Sequence, residues 1–265
     1  MIHAAKELAL TAARQAGQIA RERFDRIEQI NTKGSFGDVV TEVDHLIEEL
    51  ILYHIQNAFP SHQIHSEEIG DNGKSSEWLW LIDPLDGTNN YAIGLPVFAI
   101  SITLMFQKEP VLGVVYEPMT DRMFVSSLLD GAYCNDKKIQ VKKTMNFNKG
   151  NIGWIQGHKV QNDSRALYLR QHIDKTFKRM LRLWAPTLQW CMLAKGDLDG
   201  IVLYNSEGDD LYSGILMARE AGGVVLDFEG NSIVGMSEEP YIIACYPDHV
   251  EQLLSVVHEG LRSNS

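Results

Sequence analysis

Asp83 and Asp86 stand three residues apart in the run WLWLIDPLDGTNNY, Trp78 to Tyr91, directly after the apolar stretch Trp78 to Ile82. An unbroken apolar run of that length suits a strand buried in the middle of a sheet. Two carboxylates at the end of such a strand need compensation, because an unpaired buried charge is heavily penalised. A divalent cation supplies it, and Mg²⁺ favours a few carboxylates with positions left for water or phosphate. Pro84 removes a backbone donor and turns the chain. Gly87 permits close backbone approach, so the amides of Gly87, Thr88 and Asn89 can face an anion. The same residues also read as an ordinary Asp-Pro and Asp-Gly turn, with the carboxylates capping their own backbone.

Three further acidic places accompany this stretch: Glu67-Glu68, Asp38 with Asp44, and Asp209-Asp210 after Gly208. Taken singly, adjacent glutamates at a strand end are a solvated pair, and aspartates at a helix start are caps that favour its dipole. The nine histidines show no zinc spacing. His65 precedes Glu67 closely, which leaves two readings, a place near the site or surface or strand packing, the second being the commoner.

The elements that must position these groups follow from periodicity. Apolar residues at helical spacing predict a helix from about Ile2 to Ile27 and a second from Thr41 to Phe59, whose buried stripe is Leu46, Ile47, Leu50, Ile51 and Ile55. A glycine-containing loop, Lys33 to Gly37, lies between them. Ser61 to Ser66 reads as a short strand, and Asp71 to Glu77 as a polar loop. Strands are expected at Phe98 to Phe106, Val111 to Glu117 and Arg122 to Ser126, with the meander continuing through Gly131 to Asn135 and Ile139 to Val141. Thereafter strands (Asn151 to Gln156, Met180 to Leu183, Gly200 to Tyr204, Gly223 to Asp227, Tyr241 to Ala244) alternate with helices (Ser164 to His172, Thr187 to Ala194, Asp210 to Ala221, Pro247 to Leu261). That alternation implies layered α/β packing. The polar stretch Thr144 to Gly150 offers a division into an N-terminal half, 1–147, and a C-terminal half, 148–265.

Composition narrows the function classes. The chain has 265 residues, 45% of them hydrophobic, enough for a sizeable core. Net charge is −11 with no basic cluster, which speaks against long-range attraction to nucleic acid or anionic membrane. Cys134, Cys191 and Cys245 are widely spaced and lack a C-x-x-C pair, as expected of reduced cysteines used for packing. No signal-like or membrane-spanning run is seen, so a cytoplasmic location is expected.

Together the motifs resemble those of the inositol monophosphatase family. The run from Trp78 to Tyr91 is similar to its first signature, a hydrophobic strand followed by D-P-[IL]-D-G-T-x-N. GDDLYSGILMAREAGG, Gly208 to Gly223, is similar to its second, with Asp210 thirteen residues before Gly223. The double Glu and the K-G-x-x-x-D-x-x-T-x-x-D run from Lys33 to Asp44 also fit, and the resemblance covers nearly the whole chain. It implies an α/β/α/β/α sandwich and Mg²⁺-dependent hydrolysis of a small phosphate monoester.

Placed on these positions, the resemblance implies a first metal on Glu67, Asp83 and the Leu85 carbonyl, and a second on Asp83, Asp86 and Asp210. A third, weaker ion would use Glu67 through water. Thr88 and Glu67 would orient or deprotonate the attacking water, with Asp44 fixing the Thr88 hydroxyl. Phosphate would rest on the amides of Gly87 and Thr88, and Lys33, Asp38 and Thr41 would belong to a mobile loop completing the third metal site. Lithium inhibition and a homodimer are further implications. On the substrate side the chain departs from the family. Asp209 replaces the Trp of a W-D pair, and Leu203 replaces a substrate-contacting Glu. Trp184 and Pro186 flank Ala185 in place of small residues, either facing an aromatic or other ring of the substrate or packing away from it. Alternatives to an inositol phosphate are therefore 3′-phosphoadenosine 5′-phosphate, fructose-1,6-bisphosphate and histidinol phosphate. A non-catalytic regulatory protein on the same fold is the alternative of another class.

Overall fold

The computed structural model describes residues 1–33, 38–144, 149–206 and 208–262. In chain order its elements are α1 Ile2–Arg23, β1 Ile30–Lys33, β2 Asp38–Thr41, α2 Glu42–Ala58, β3 Gln63–Ser66, β4 Gly70–Asp71, β5 Trp78–Asp86, α3 Thr88–Ala92, β6 Ala99–Phe106, β7 Glu109–Glu117, β8 Arg122–Ser127, β9 Gly131–Cys134 and β10 Lys137–Lys138. They continue with β11 Asn151–Gln156, α4 Ser164–Thr176, β12 Arg179–Leu181, α5 Pro186–Lys195, β13 Gly200–Tyr204, α6 Leu211–Glu220, β14 Val224–Asp227, β15 Tyr241–Cys245 and α7 Val250–Arg262. The expected division at 147 and 148 falls on residues outside those described, as does the loop at 34–37.

Three cores separate five layers. Helices α1 and α2 cover one face of an eight-stranded sheet of order β10-β9-β8-β7-β6-β5-β3-β4. Helices α5 and α6 lie on its other face, against a five-stranded sheet of order β12-β11-β13-β15-β14. Helices α4 and α7 close the far side. The fold is the α/β/α/β/α sandwich that the sequence motifs implied.

Local physics explains where the elements depart from expectation. Helix α1 ends at Arg23, and its buried face is Ala5, Ala9, Ala12, Ala13, Ala16, Gly17 and Ala20 rather than the larger residues. Small residues let it lie close to the sheet: a Cβ on Gly17 would stand 2.3 Å from the Tyr116 ring. On α2, Leu46 is exposed, while Val43, Ile47, Ile51 and Ile55 are buried. Burial of each such side chain stabilises by about 1.5–3 kcal/mol. Residues 139–141 add no strand; the edge strand is Lys137–Lys138 instead. The proline and bulge-tolerant side of β5 matters most, because the strand continues through Pro84 to Asp86, with its register against β6 shifting between Asp83 and Asp86. A bulge there re-aims side chains at the strand end.

Candidate active site

Parallel pairing of β3 with β5 sets the first two carboxylates side by side. Ser66 is opposite Ile82, and the Glu67 amide donates to the Ile82 carbonyl at 3.1 Å. Glu67 therefore leaves the end of β3 beside Asp83 at the end of β5. Burial first, and then the neighbouring Glu67, push the Asp83 carboxyl well above the ordinary range. Asp83 is also held by its own turn, its Oδ1 accepting from the Leu85 amide at 3.0 Å.

Asp210 arrives from the other side of the sheet. It caps α6, and Ser213 one turn on donates to its backbone carbonyl at 2.8 Å. The Ser213 hydroxyl also lies 2.9 Å from that of Ser101, a residue directly opposite Asp83 in the β5–β6 ladder. This small-residue contact seats the start of α6 against the carboxylate strand. Asp86 is fixed by α5: its Oδ2 accepts from the amide of Thr187 at 2.8 Å and from the Thr187 hydroxyl.

Helix α2 supplies the remaining anchor. Thr41 and Asp44 form a capping box, with the Thr41 amide and hydroxyl donating to Asp44 Oδ2 at 2.9 and 2.6 Å. Asp44 Oδ1 lies 2.8 Å from the Thr88 hydroxyl, which is equally close to the Leu85 carbonyl. One hydroxyl proton serves one of these acceptors, so an oxygen lone pair of Thr88 stays available to accept a hydrogen bond from a water. Asp38 Oδ1 accepts from the Asn89 side chain at 3.0 Å. Lys33 pairs with Asp38 through the β1–β2 backbone ladder, and its side chain lies outside the described residues. Gly87 begins α3 with φ +99°, and a Cβ there would stand 2.9 Å from the Trp184 carbonyl oxygen and 3.0 Å from that of Val97. Only glycine fits that turn.

Glu67, Asp83, Asp86, Thr88, Asp209 and Asp210 line one cavity of about 830 Å³, with Asp44 and Thr187 behind them. Asp83 and Asp86 are buried, and their carboxyls are pushed well above the ordinary range, by desolvation first and then by neighbouring acids. Burial, then Glu67, pushes Asp210 up to about 7. Asp209 is likewise pushed up to about 7 by burial, against the pull of His65. His65 lines the cavity, the first of the two readings open to it, with Nε2 3.6 Å from Asp209 and Nδ1 3.1 Å from Asp71.

The opposite wall was largely hidden in the sequence. Gln156, His158, Gln161 and Arg182 line it, and no motif marks the first three, which stand at or just beyond the end of the buried strand β11. Trp184 stands at the rim, half-exposed, and Pro186 also faces the cavity. Ala185 and Leu203 do not join the lining; both are buried in the central core. Glu48, missed in the sequence, is fully buried on α2 and accepts hydrogen bonds from Ser66 and from the amides of Glu68 and Ile69. The signal was present: a charge within the apolar stripe Ile47, Ile51 and Ile55 is rare unless it is partnered.

Among the described residues, no three His, Cys, Asp or Glu side chains stand as a ready-made cation cage. The chemistry of the donors nevertheless fits a hard ion. Four carboxylates and a backbone carbonyl, all oxygen, share one cavity wall, and their mutual repulsion is what a divalent cation relieves.

Comparison with known proteins agrees with this geometry. The model of the inositol monophosphatase family matches residues 3–262. A fructose-1,6-bisphosphatase/inositol-1-monophosphatase of Aquifex aeolicus is 36% identical over 222 residues, covering 82% of this chain and 83% of that protein. A putative Nus factor SuhB of Neisseria meningitidis is 33% identical over 255 residues, 94% of this chain and 96% of that one. Among solved structures, the extragenic suppressor protein suhB from Bartonella henselae superposes with a TM-score of 0.89 at 28% identity, covering 99% of this chain and 100% of that one.

Proposed function

Because the chain belongs to the inositol monophosphatase family, we propose that it hydrolyses a phosphate monoester of a small metabolite with two to three Mg²⁺ ions as cofactor. The observation that carries this reading is the single cavity wall holding Glu67, Asp83, Asp86 and Asp210 beside the Thr88–Asp44 pair. Glu67, Asp83 and the Leu85 carbonyl would hold one ion, and Asp83, Asp86 and Asp210 another. Bound there, Mg²⁺ supplies charge neutralisation on the phosphate and a more acidic water.

The protein's own groups do the rest. Thr88 accepts a hydrogen bond from the attacking water, its own hydroxyl hydrogen held by Asp44 or the Leu85 carbonyl, and the proton released on attack passes to a carboxylate, that of Glu67. Glu67 orients the same water from the end of β3. The amides of Gly87 and Thr88 receive the phosphate oxygens, and the Gly87 conformation allows that approach. Asp86 is kept in place by Thr187, so its remaining oxygen is the one presented to an ion. Lys33, Asp38 and Thr41 belong to the segment that would complete a third, weaker site.

The alcohol is read from the opposite wall. Trp184 offers an exposed ring face, suited to stacking a flat group, with Arg182 next to it. Fructose-1,6-bisphosphate, 3′-phosphoadenosine 5′-phosphate and histidinol phosphate accordingly stand beside inositol phosphates as substrates. The halves 1–147 and 148–265 would both contribute to the cavity, and a cytoplasmic homodimer inhibited by Li⁺ is the expected form. Phosphate release from a panel of these compounds, with Mg²⁺, with EDTA and with added Li⁺, tests the reading. Fast release abolished by EDTA supports it, and no release from any compound by folded, Mg²⁺-loaded protein counts against it.

The likeness to a putative Nus factor favours a second reading, a regulatory role in transcription. With a net charge of −11, such a role would run through protein contact rather than direct attraction to nucleic acid. Specific capture of a transcription protein by an Asp83→Asn variant without turnover would support it.

A further inference from the structure

Glu48 is a buried carboxylate that does not line the candidate active-site cavity. Its side chain is fully enclosed on α2, and one oxygen, Oε1, gathers three donors: the Ser66 hydroxyl, the Glu68 amide at 3.2 Å and the Ile69 amide at 3.1 Å. Those donors straddle Glu67, whose own amide is tied to β5 at Ile82. The other oxygen, Oε2, is buried with no hydrogen-bond partner among the described residues. An arrangement this costly in desolvation persists where its hydrogen bonds fix something.

Glu48 also sits four residues after Asp44, so both project from one face of the same helix. Asp44 holds the Thr88 hydroxyl at 2.8 Å. One rigid helical turn therefore anchors two separate pieces of chain, the Thr88 turn and the loop bearing Glu67.

We propose that Glu48 is a positioning residue for Glu67, and that the Asp44–Glu48 pair on α2 sets the spacing between Thr88 and Glu67 from behind the site. This rests on the reading of Glu67 as a metal and water ligand given above. Neither substrate nor metal touches Glu48. It acts by accepting the backbone donors of residues 68 and 69, which would otherwise be free to swing Glu67 away from Asp83. The backbone on both sides of Glu67 is thus restrained, by β5 before it and by Glu48 after it.

The test compares Glu48→Ala, Glu48→Gln and Ser66→Ala with the unaltered protein, using Mg²⁺ alone as the probe. Mg²⁺ titration is followed by calorimetry and by the rise in thermal unfolding temperature, with phosphate release measured alongside on the best substrate of the panel. Glu48→Ala is expected to weaken Mg²⁺ binding about tenfold or more, the scale seen when an outer-shell partner of a metal ligand is lost. Its kcat falls while KM, measured at saturating Mg²⁺, stays within about twofold of the unaltered value. Glu48→Gln keeps an acceptor at the Oε1 position and restores most of the binding. Ser66→Ala, which removes one donor and little volume, shows a smaller loss in the same direction. It decides the matter if Glu48→Ala does not fold. Unchanged Mg²⁺ affinity in Ser66→Ala and in whichever Glu48 variants fold overturns the assignment. If the unaltered protein itself binds no Mg²⁺, the metal reading fails and this proposal falls with it.

Discussion

Asp83 is the residue on which most of the site converges, since it pairs with Glu67, faces Asp86 and Asp210, and is held by the Leu85 amide. Replacing it with Asn keeps the shape and the turn hydrogen bond but removes an ionisable carboxyl from a desolvated cluster. Turnover is expected to fall by about 10²–10³-fold or more, because both proposed metal positions lose a shared ligand. Thermal unfolding in EDTA should move the other way, to higher temperature, since like-charge repulsion is relieved. A variant with normal activity, or one whose metal-free form is less stable, contradicts the cluster as described. Thr88→Val makes a sharper test of the hydroxyl: Mg²⁺ binding is retained and kcat drops by about 10²-fold or more, the scale of lost general acid–base assistance. Equal loss of metal binding and rate would instead assign Thr88 a purely structural part.

The elements hold these residues through a few exact contacts, and each can be broken singly. Gly87→Ala places a Cβ 2.9 Å from the Trp184 carbonyl oxygen at φ +99°, a conformation costing of order 1–3 kcal/mol in a residue other than glycine. Its denaturation midpoint should fall accordingly and its activity more steeply, because the same turn carries Asp86 and the amides offered to phosphate. Thr187→Val removes a hydroxyl donor from Asp86 while leaving the amide bond in place. Loss of a hydrogen bond to a charged group costs about 1.5–3 kcal/mol, and Thr187→Ser should restore both stability and rate. Unfolding curves for the pair check this directly. What was legible in the sequence divides along the same line. Carboxylates in short motifs, Asp83 and Asp86 or Asp209 and Asp210, could be read with their turn and cap because their chemistry is local. The Thr187–Asp86 and Ser213–Ser101 contacts join residues about a hundred positions apart and carry no pattern in one dimension. Leu203 shows the converse: alignment of motifs placed it near substrate, but strand alternation on β13 turns its side chain into the core. Helix α1 ends at Arg23 because Phe24 turns to extended backbone, with ψ 133°, and Asp25 follows at φ +59°, a local break that apolar periodicity does not mark.

At the scale of the molecule, five layers bring acidic groups from β3, β5 and α6 to one place, and the fold must bear their repulsion. Layered α/β packing was readable from the alternation of strands and helices, and the order of the layers from the resemblance to the family, whereas the part played by Gln156, His158 and Gln161 at the end of β11 was not. The consequence for stability is a dependence on pH set by carboxyls whose folded-state pKa lies above the unfolded value. Asp210 is the clearest, pushed from an ordinary 3.8 up to about 7 by burial and by Glu67, with Asp83 and Asp86 shifted the same way. Below about pH 4 such a group is protonated in both states, and the fold bears no penalty from it. Between about 4 and about 7 the unfolded chain ionises while the folded protein keeps its proton, so stability falls as pH rises. Above about 7 the penalty is complete. Unfolding temperature in EDTA should therefore decline across pH 4.5 to 7.5, a window fixed by those two pKa values. The stabilisation given by Mg²⁺ should grow across the same window, because ion binding must displace the protons, and proton release on binding should be largest near its acid end. Asp210→Asn, lacking one of the shifted groups, should show a shallower decline in EDTA. A flat metal-free profile, or one as steep in Asp210→Asn as in the unaltered protein, would show that these carboxyls are not the source of the repulsion.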